Sequence, residues 1–324
     1  MNTAWRIVIL VTSVIGWAVP SAASAENYPS RVVTMIVPAA AGGTTDFAAR
    51  MLVEMIGSSL GQPIVIENRG GASGNIGNKA VAHASPDGYT LLMAYSGYQV
   101  ANKTLFQNPG WDPITDFVPV ALVLKAPHVV LVRKNLPANN LRELIAYAKA
   151  KGNLNYASSG VGSIQHIGGE QLKQIGGFDM AHVPYRGAGP AMNDLIGGVV
   201  DLFITTPPSA VAHVRSGVVK ALAMAAPERH PMLPDIPTSK EEGVPSFELV
   251  AWFAVYAPAN TPRPIVDKLS QAIAAAVNSG QFREKVEAQG AYAAYLDSAD
   301  LARFTKEELQ YWSGVISKAG IKAE

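Results

Sequence analysis

Two segments rich in glycine and hydroxyl side chains are the part of this sequence best suited to bind an anion. They run from Gly42 to Asp46 (GGTTD) and from Ser158 to Ser163 (SSGVGS). Each follows a predicted strand and precedes a run with helical periodicity, so each lies where a helix begins. The first N–H groups of a helix are unpaired and carry partial positive charge, and glycine allows a ligand close to the backbone. Such a segment can hold a carboxylate without a lysine or an arginine.

The expected strength of such a site is moderate. A helix dipole contributes about 0.3–1 kcal/mol, and each hydrogen bond to a charged group contributes about 1.5–3 kcal/mol. Three or four such bonds, less the entropy cost of ordering ligand and protein, give micromolar binding, which is a binding free energy of about −8 kcal/mol. For either segment alone, the alternative is that its glycines and hydroxyls only cap a helix. Two matching segments, one in each half of the chain, favour a shared ligand site at the carboxyl ends of the strands.

Further polar residues are expected beside these two segments. Thr205 and Thr206 end one predicted strand and Ser96 ends another, so their hydroxyls are placed to reach the same cleft. His166 lies in the first turn after the second segment and either contacts the ligand or is a solvated or capping residue. Asp46 is more typical of a residue that organises its own loop, because a carboxylate at a helix start accepts from local N–H groups. The predicted ligand-binding residues are Ala41, Gly42, Gly43, Thr44, Thr45, Asp46, Ser96, Ser158, Ser159, Gly162, Ser163, His166, Thr205 and Thr206.

Motifs for nucleotide binding, metal binding and catalysis are weak or missing. The run Gly160-Val161-Gly162 resembles the start of a dinucleotide fingerprint, but Gln165 stands at the third glycine position and no clear acidic partner follows. The six histidines are scattered without the helical spacing of a metal site. The sequence therefore predicts no catalytic residue, no metal site and no cofactor.

The first 25 residues have the pattern of a secretory signal peptide. Arg6 is their only charged residue, an apolar run covers Ile7–Val19, and small residues end at Ala25. The apolar run is shorter than the about 20 residues that a transmembrane helix needs, and an uncleaved anchor is the alternative. We expect cleavage after Ala25, export to the periplasm, and no direct membrane insertion of the cleaved chain.

The composition excludes a disulfide framework and argues against a nucleic-acid partner. The chain has no cysteine, so an exported form relies on its own core. Removing Arg6 from the 26 basic residues leaves 25, against 25 acidic residues. A neutral chain has no electrostatic footprint for nucleic acid or an anionic membrane. Any anion must therefore be held by local geometry.

Alternating strands and helices position the two segments. A β-branched strand, Val32–Val37, precedes the first segment, and the strand Leu154–Ala157 precedes the second. This recurrence predicts an α/β protein with two doubly wound lobes. We expect crossings between the lobes at Ala126-Pro127, a break between two strands, and in the apolar run Val250–Ala257. The predicted division is 1–25 for the signal peptide, 26–125 plus 251–324 for lobe 1, and 126–250 for lobe 2.

Several longer motifs extend over nearly the whole chain after the leader. They are Tyr28-Pro29-Ser30, Ile36-Val37-Pro38, Gly61-Gln62-Pro63, Val65-Ile66-Glu67-Asn68-Arg69, the run Gly70–Gly77, Pro86–Leu91, Leu154–Gly160, His182–Gly187 and Leu233–Thr238. Together they resemble the periplasmic binding proteins of tripartite tricarboxylate transporters, also called the Bug or tricarboxylate-receptor family. The resemblance implies a two-lobed periplasmic-binding-protein clamshell (Venus flytrap) with two crossings. It also implies that both segments grip one carboxylate, partly through ordered waters, with a contribution from Thr205-Thr206.

The resemblance also implies a function without catalysis. A small organic carboxylate, either an aliphatic di- or tricarboxylate or an aromatic carboxylate, is captured and delivered to membrane transporter subunits. Two alternatives remain: a periplasmic serine hydrolase that uses Ser159 with His166, and a co-receptor that presents the ligand to a sensor kinase. The run Ala39-Ala40-Ala41 departs from the bulkier or proline residues usual in the family, and we expect it to widen the cleft beside the first segment.

Overall fold

The structure is a computed structural model that describes residues 28–321. The predicted signal peptide, 1–25, lies outside the described residues. The strands are β1 (Val33–Val37), β2 (Ile64–Asn68), β3 (Thr90–Tyr95), β4 (Phe117–Arg133), β5 (Leu154–Ser158), β6 (Met180–Pro184), β7 (Leu202–Thr205), β8 (Val219–Ala225), β9 (Val250–Pro258) and β10 (Tyr292–Leu296). The helices are α1 (Thr44–Leu60), α2 (Asn75–Ala82), α3 (Ser96–Leu105), α4 (Leu141–Lys151), α5 (Ile164–Gly176), α6 (Ala188–Ile196), α7 (Val211–Arg215), α8 (Arg263–Val277), α9 (Gly280–Glu287) and α10 (Ser298–Ala319).

The first lobe is built on a mixed sheet that places the first glycine-rich segment at its edge. Strands β2, β1 and β3 are parallel, while β9 and β4 continue the sheet antiparallel and β10 pairs with β4. Four of the five residues of β1 are buried, which is the setting that continuous β-branched runs favour. Because β1 ends at Val37 and α1 begins at Thr44, the first segment lies at the carboxyl edge of the sheet.

The second lobe repeats this arrangement around the second segment. Strands β6, β5 and β7 are parallel, and the second half of β4 pairs antiparallel with both β7 and β8. Strand β5 ends at Ser158 and leads into α5 at Ile164. Both segments therefore leave the carboxyl ends of parallel strands, and the prediction of a two-lobed α/β fold is confirmed.

Strand β4 crosses between the lobes without a break, which corrects the prediction of two strands joined at Ala126-Pro127. Its residues Phe117 to Pro127 pair with β9, and its residues His128 to Arg133 pair with β7 and β8. Pro127 lies at the point where β4 stops pairing with β9 and begins to pair with β7 and β8. Because no backbone hydrogen bond of either pairing needs the N–H that proline lacks, the strand continues through it. The predicted lobe limits at 125/126 and 250/251 stay a prediction, supported by this change of partners.

Several elements were not predicted, and one of them changes the place of a candidate residue. The sequence patterns do not predict helices α3, α6, α7 and α9 or strand β10. Ser96 begins α3 and does not end a strand. Gly97, the second residue of α3, allows close packing at this point, since a Cβ there would lie 2.6 Å from the Tyr95 ring and 2.8 Å from the Ile164 nitrogen.

The starts of α4 and α8 differ in how they are capped. The Asn140 side chain accepts a hydrogen bond from the Glu143 N–H and caps α4, as its residue type predicts. Helix α8 begins at Arg263 with Pro262 as its N-cap, and the expected cap from Thr261 is wrong, because the Thr261 hydroxyl donates to the Pro258 carbonyl oxygen. Within residues 28–321, none of the helices combines the length and the apolar character needed to cross a bilayer.

Candidate functional site

The two predicted segments meet at one cavity between the lobes. The cavity is lined by Ala39, Gly43, Thr44, Thr45, Tyr95, Tyr98, Ser159, Gln165, Ala188, Thr206 and Phe253. Its volume is about 20 Å³, which is room for about one ordered water. The lobes are thus closed on each other, and a ligand enters only when they separate.

Side-chain hydrogen bonds hold the closed arrangement across the cavity. The hydroxyl oxygen of Thr44 lies 2.5 Å from that of Thr206 and 2.9 Å from that of Ser209. The Tyr98 hydroxyl donates to the carbonyl oxygen of Ser159 at 2.6 Å. All of these groups are buried, so each bond contributes more than it would at a surface.

The start of α1 offers free donors to the cavity. Its N-cap, Gly43, supplies no side chain, and the N–H groups of Thr44 and Thr45 have no acceptor among the described residues. Thr44 and Thr45 are 4% and 6% exposed. Unpaired N–H groups at such depth are costly unless a ligand or water accepts from them.

Asp46 stabilises this loop from the side that faces away from the cavity. Its carboxylate accepts from the Gly42 N–H, from Asn68 and, through two bonds, from Arg50. Burial alone would raise the pKa of Asp46, but the hydrogen bonds from Arg50, Gly42 and Asn68 hold that pKa below its ordinary value. Asp46 does not line the cavity, which agrees with a role in shaping the loop.

The second segment differs from the expectation, because most of its backbone N–H groups are already paired. The Gly160 N–H donates to the Ser158 hydroxyl, and the Gly162 N–H donates to Nδ1 of His166. The Ser163 N–H donates to the carbonyl oxygen of Gly160. The second lobe therefore does not mirror the first in the donors that it offers.

Gln165 supplies the donor that the second segment lacks, and sequence analysis missed it. Its carbonyl oxygen accepts from both the N–H and the hydroxyl of Ser159. Its amide nitrogen has no partner among the described residues, and the side chain lines the cavity. Ser159 therefore orients Gln165 while lining the cavity itself.

A third helix start also meets the cavity. Helix α6 begins at Ala188, which lines the cavity, and its N-cap Gly187 supplies no side chain. The N–H groups of Ala188 and Gly189 have no acceptor within residues 28–321. Pro190 in the first turn of α6 was the available signal, since proline is frequent there.

The two lobes touch along a seam of small residues, which corrects the expectation of a widened cleft. The Ala40 N–H donates to the carbonyl oxygen of Arg186 at 2.9 Å. A Cβ on Gly187 would lie 2.9 Å from the Ala40 nitrogen, and one on Gly189 would lie 2.4 Å from the Ala41 oxygen. The alanines thus bring two backbones into contact, and only Ala39 of the three lines the cavity.

Aromatic rings form the rest of the lining. Tyr95 and Phe253 stack with ring centroids 5.6 Å apart, and Tyr98 meets Tyr95 edge-on at 5.0 Å. The Tyr95 hydroxyl accepts from the Ile164 N–H. Burial raises the pKa of Tyr98 to about 12. Phe253 lines the cavity, while its neighbour Trp252 packs on the other side of the strand, where its indole N–H donates to Glu308.

Several predicted residues lie behind the lining. The Ser96 hydroxyl accepts from the Trp252 N–H at the crossing, and the Ser163 side chain caps α5 by accepting from the His166 N–H. The Thr205 hydroxyl is buried without a partner among the described residues. Ala41 and Gly42 line a neighbouring groove outside the cavity. Ser158 and Gly162 take part in the internal bonds of the second segment.

His166 points away from the cavity. Its ring stacks on His182 with centroids 4.0 Å apart, and Nε2 of His182 lies 2.7 Å from the Ser158 hydroxyl. Burial lowers the pKa of His166 to about 4, so the ring is neutral at neutral pH. Ser159 donates to Gln165 and Nδ1 of His166 accepts from Gly162. The two residues of the hydrolase alternative therefore do not form a catalytic pair.

Comparison with known proteins identifies the family. The family described as "Tripartite tricarboxylate transporter family receptor" matches residues 48–321. The chain belongs to this family. It is also 36% identical over 324 residues to "Protein BugT" of Bordetella pertussis, covering 99% of each protein. Members of the tricarboxylate-receptor family bind solutes and are not enzymes.

Two similar solved structures have the same fold with a ligand present. MatC of Rhodopseudomonas palustris, solved with bound malate, is 38% identical with a TM-score of 0.84, covering 89% of this chain and 100% of MatC. A second R. palustris protein, solved with adipate, is 36% identical with a TM-score of 0.88, covering 91% and 99% of the two chains. This tricarboxylate-receptor family member therefore has the two-lobed fold of periplasmic binding proteins.

Proposed function

We propose that this family member captures one small organic carboxylate between its lobes and delivers it to the membrane subunits of a tripartite tricarboxylate-type transporter. The observation that carries the proposal is a closed cavity that meets the starts of α1, α5 and α6. Unpaired donors of Thr44, Thr45 and Ala188 and the amide of Gln165 belong to that cavity. Helix starts of this kind favour a negative charge. The malate and adipate found in two relatives are carboxylates and support the same assignment.

The proposed cycle begins with the lobes apart. The carboxylate first docks on the free N–H groups of α1, because these donors need no rearrangement. The second lobe then closes and brings the amide of Gln165 and the start of α6 onto the ligand. Closure also forms the bonds from Thr44 to Thr206 and Ser209. The closed form is the state that the membrane partner recognises.

The proposal includes export and a division of the chain. Residues 1–25 act as a cleaved signal peptide, so the functional protein is periplasmic. Lobe 1 comprises residues 26–125 and 251–324, and lobe 2 comprises residues 126–250. The change of partner strands along β4 supports this division.

Replacing Thr44 by valine tests the site. Thr44→Val keeps the shape of the side chain but removes the hydroxyl that bonds Thr206 and Ser209 in the closed form. We expect ligand affinity to fall about tenfold or more, since each such bond contributes about 0.5–1.5 kcal/mol. Calorimetric titration with the acid that most raises the melting temperature of the wild type measures the change. Thr115→Val, at an exposed position outside the cavity, is the matched control.

A wild-type affinity in Thr44→Val would contradict the assigned site. If no carboxylate in a panel of aliphatic and aromatic acids raises the melting temperature of the wild type, the proposed ligand class itself is wrong. Native mass spectrometry of freshly purified protein distinguishes a wrong site from a wrong ligand class, because a co-purified acid would show that the protein does bind a carboxylate.

A further inference from the structure

The glycine-rich run Gly70–Gly77 contains a left-handed turn that lies outside the cavity. The φ values of Gly71, Ala72, Ser73 and Gly74 are 119°, 46°, 54° and 78°. Glycine adopts such values freely, but they are unfavourable for alanine and serine. Strained backbone of this kind persists only where its surroundings hold it, and it is concentrated at binding and switching segments. The contacts of the turn therefore indicate its role.

Side chains of the first lobe hold the turn in this conformation. The Asn102 amide donates to the carbonyl oxygen of Ser73 at 2.9 Å and to the side-chain oxygen of Asn75 at 2.8 Å. The Asn78 amide donates to the carbonyl oxygen of Gly74 at 2.8 Å. Asn78 is in α2 and Asn102 is in α3, and both are buried. Because all of these partners belong to the proposed lobe 1, the turn is expected to keep its shape when the lobes are apart.

The second glycine-rich segment packs on this turn and on α3. A Cβ on Gly160 would lie 3.1 Å from the hydroxyl oxygen and 3.2 Å from the Cα of Ser73. A Cβ on Gly162 would lie 2.6 Å from Cδ1 of Leu105 and 3.3 Å from the side-chain oxygen of Asn102. The N–H groups of both glycines are already paired within their own lobe. Close approach to the first lobe therefore accounts for these glycines, where ligand binding does not.

We propose that the turn Gly71–Gly74 is a preformed platform on which Gly160 docks when the lobes close, and that Ser73 is the residue that positions the second lobe there. A platform that is ordered before closure adds no ordering cost to it. Ser73 thus favours the closed arrangement from outside the cavity. The inference rests on the closing movement of the proposed function and is independent of the ligand.

A disulfide between the lobes can report closure, because the chain has no cysteine of its own. In the closed form, a Cβ on Gly43 would lie 3.3 Å from the Cβ of Ala188, close to the separation of about 3.5–4.5 Å in a disulfide. The φ of Gly43 is −93°, which any residue adopts. Gly43→Cys and Ala188→Cys in one chain are the reporter. Its rate of disulfide formation in dilute oxidant, without ligand, follows the fraction of time that the lobes are closed.

Ser73→Gly and Ala72→Gly are compared in this reporter. Each replaces one left-handed residue by glycine, so the relief of strain and the gain in chain flexibility are matched. Only Ser73 meets Gly160, whereas Ala72 is exposed. Ser73→Gly is expected to form the disulfide about three- to tenfold more slowly than Ala72→Gly, because the second lobe loses its contact. The melting temperatures of the two reduced proteins are expected to agree.

Equal rates in the two variants overturn the inference. So does a slower rate of Ser73→Gly that comes with a lower melting temperature than that of Ala72→Gly, since Ser73 would then support only the fold. Failure of the proposed function is a separate result, because the reporter needs no ligand. If no carboxylate binds the wild type but Ser73→Gly closes more slowly, the platform stands and the carboxylate assignment is wrong.

Discussion

Substituting Gly189 by alanine is expected to weaken ligand binding while leaving the empty protein folded. In the closed form, a Cβ at Gly189 would lie 2.4 Å from the carbonyl oxygen of Ala41 in the other lobe. The ordinary approach of a carbon to a carbonyl oxygen is about 3.3 Å or more, so the lobes must separate by about 1 Å at this point. Gly189 is in α6, where alanine is the better helix former. The open form is therefore not destabilised.

The magnitude follows from the bonds that this separation breaks. The Ala40 N–H to Arg186 bond of 2.9 Å and the bonds of the Thr44 hydroxyl to Thr206 and Ser209 all cross the seam. Each has a net contribution of about 0.5–1.5 kcal/mol, so losing two or three costs the closed form about 2–3 kcal/mol. Because closure and binding are coupled, the dissociation constant is expected to rise about 30- to 150-fold.

The assay needs a control for the exchange of glycine for alanine itself. Gly314→Ala is suitable, because Gly314 is in α10 and a Cβ there would meet no atom within 4 Å. Calorimetric titration gives the affinities, and small-angle scattering with and without ligand shows whether Gly189→Ala still becomes compact. The melting temperature of each empty variant checks the fold. Wild-type affinity in Gly189→Ala, with normal compaction, would refute the idea that the seam must close for tight binding.

Two further predictions concern the lobe contact and the histidine stack. Tyr98→Phe removes the 2.6 Å bond to the Ser159 carbonyl and should weaken binding about tenfold in calorimetry; full affinity would show that this bond is dispensable. Burial lowers the pKa values of His166 and His182 from 6.5 to about 4 and about 3. Folding stability is therefore complete above pH 6.5 and falls as the pH drops towards these values, because the unfolded chain binds the protons first. His182→Gln should flatten this fall in melting temperature and exposed His83→Gln should not; equal slopes would contradict the assignment.

Much of the fold follows from residue patterns that are local in the sequence. The apolar run of β1 and the alternation around it predict the parallel strands, and Asn140 predicts the start of α4. The errors arise where distant residues decide. Pro127 reads as a break, yet it lies in one continuous strand because the partner strands change beside it. Helix α6 was missed because Gly189 and Pro190 in its first turn are equally typical of a loop.

The sequence predicts those residues of the candidate site whose place depends only on following a strand. Thr44, Thr45, Ser159 and Thr206 line the shared cavity, as their positions after strands suggested. The asymmetry between the two lobes was not predictable. Whether the N–H of Gly162 is free depends on the orientation of the His166 ring, and no local pattern reports that. In the same way, the Gln165 amide nitrogen is free to donate to the cavity only because Ser159 occupies the carbonyl oxygen of the same side chain.

The pairing of β4 with β9 determines how the molecule can move. Ala126 pairs with Ala251 and Pro127 with Val250, so the two connections between the lobes are neighbours in one hydrogen-bonded ribbon. A two-stranded ribbon bends easily across its flat face but resists sliding and lateral shear, since those displacements would break its ladder. Opening is therefore expected to follow mainly the bending of this ribbon. In the proposed function, that one movement is what informs a membrane partner that a ligand is bound.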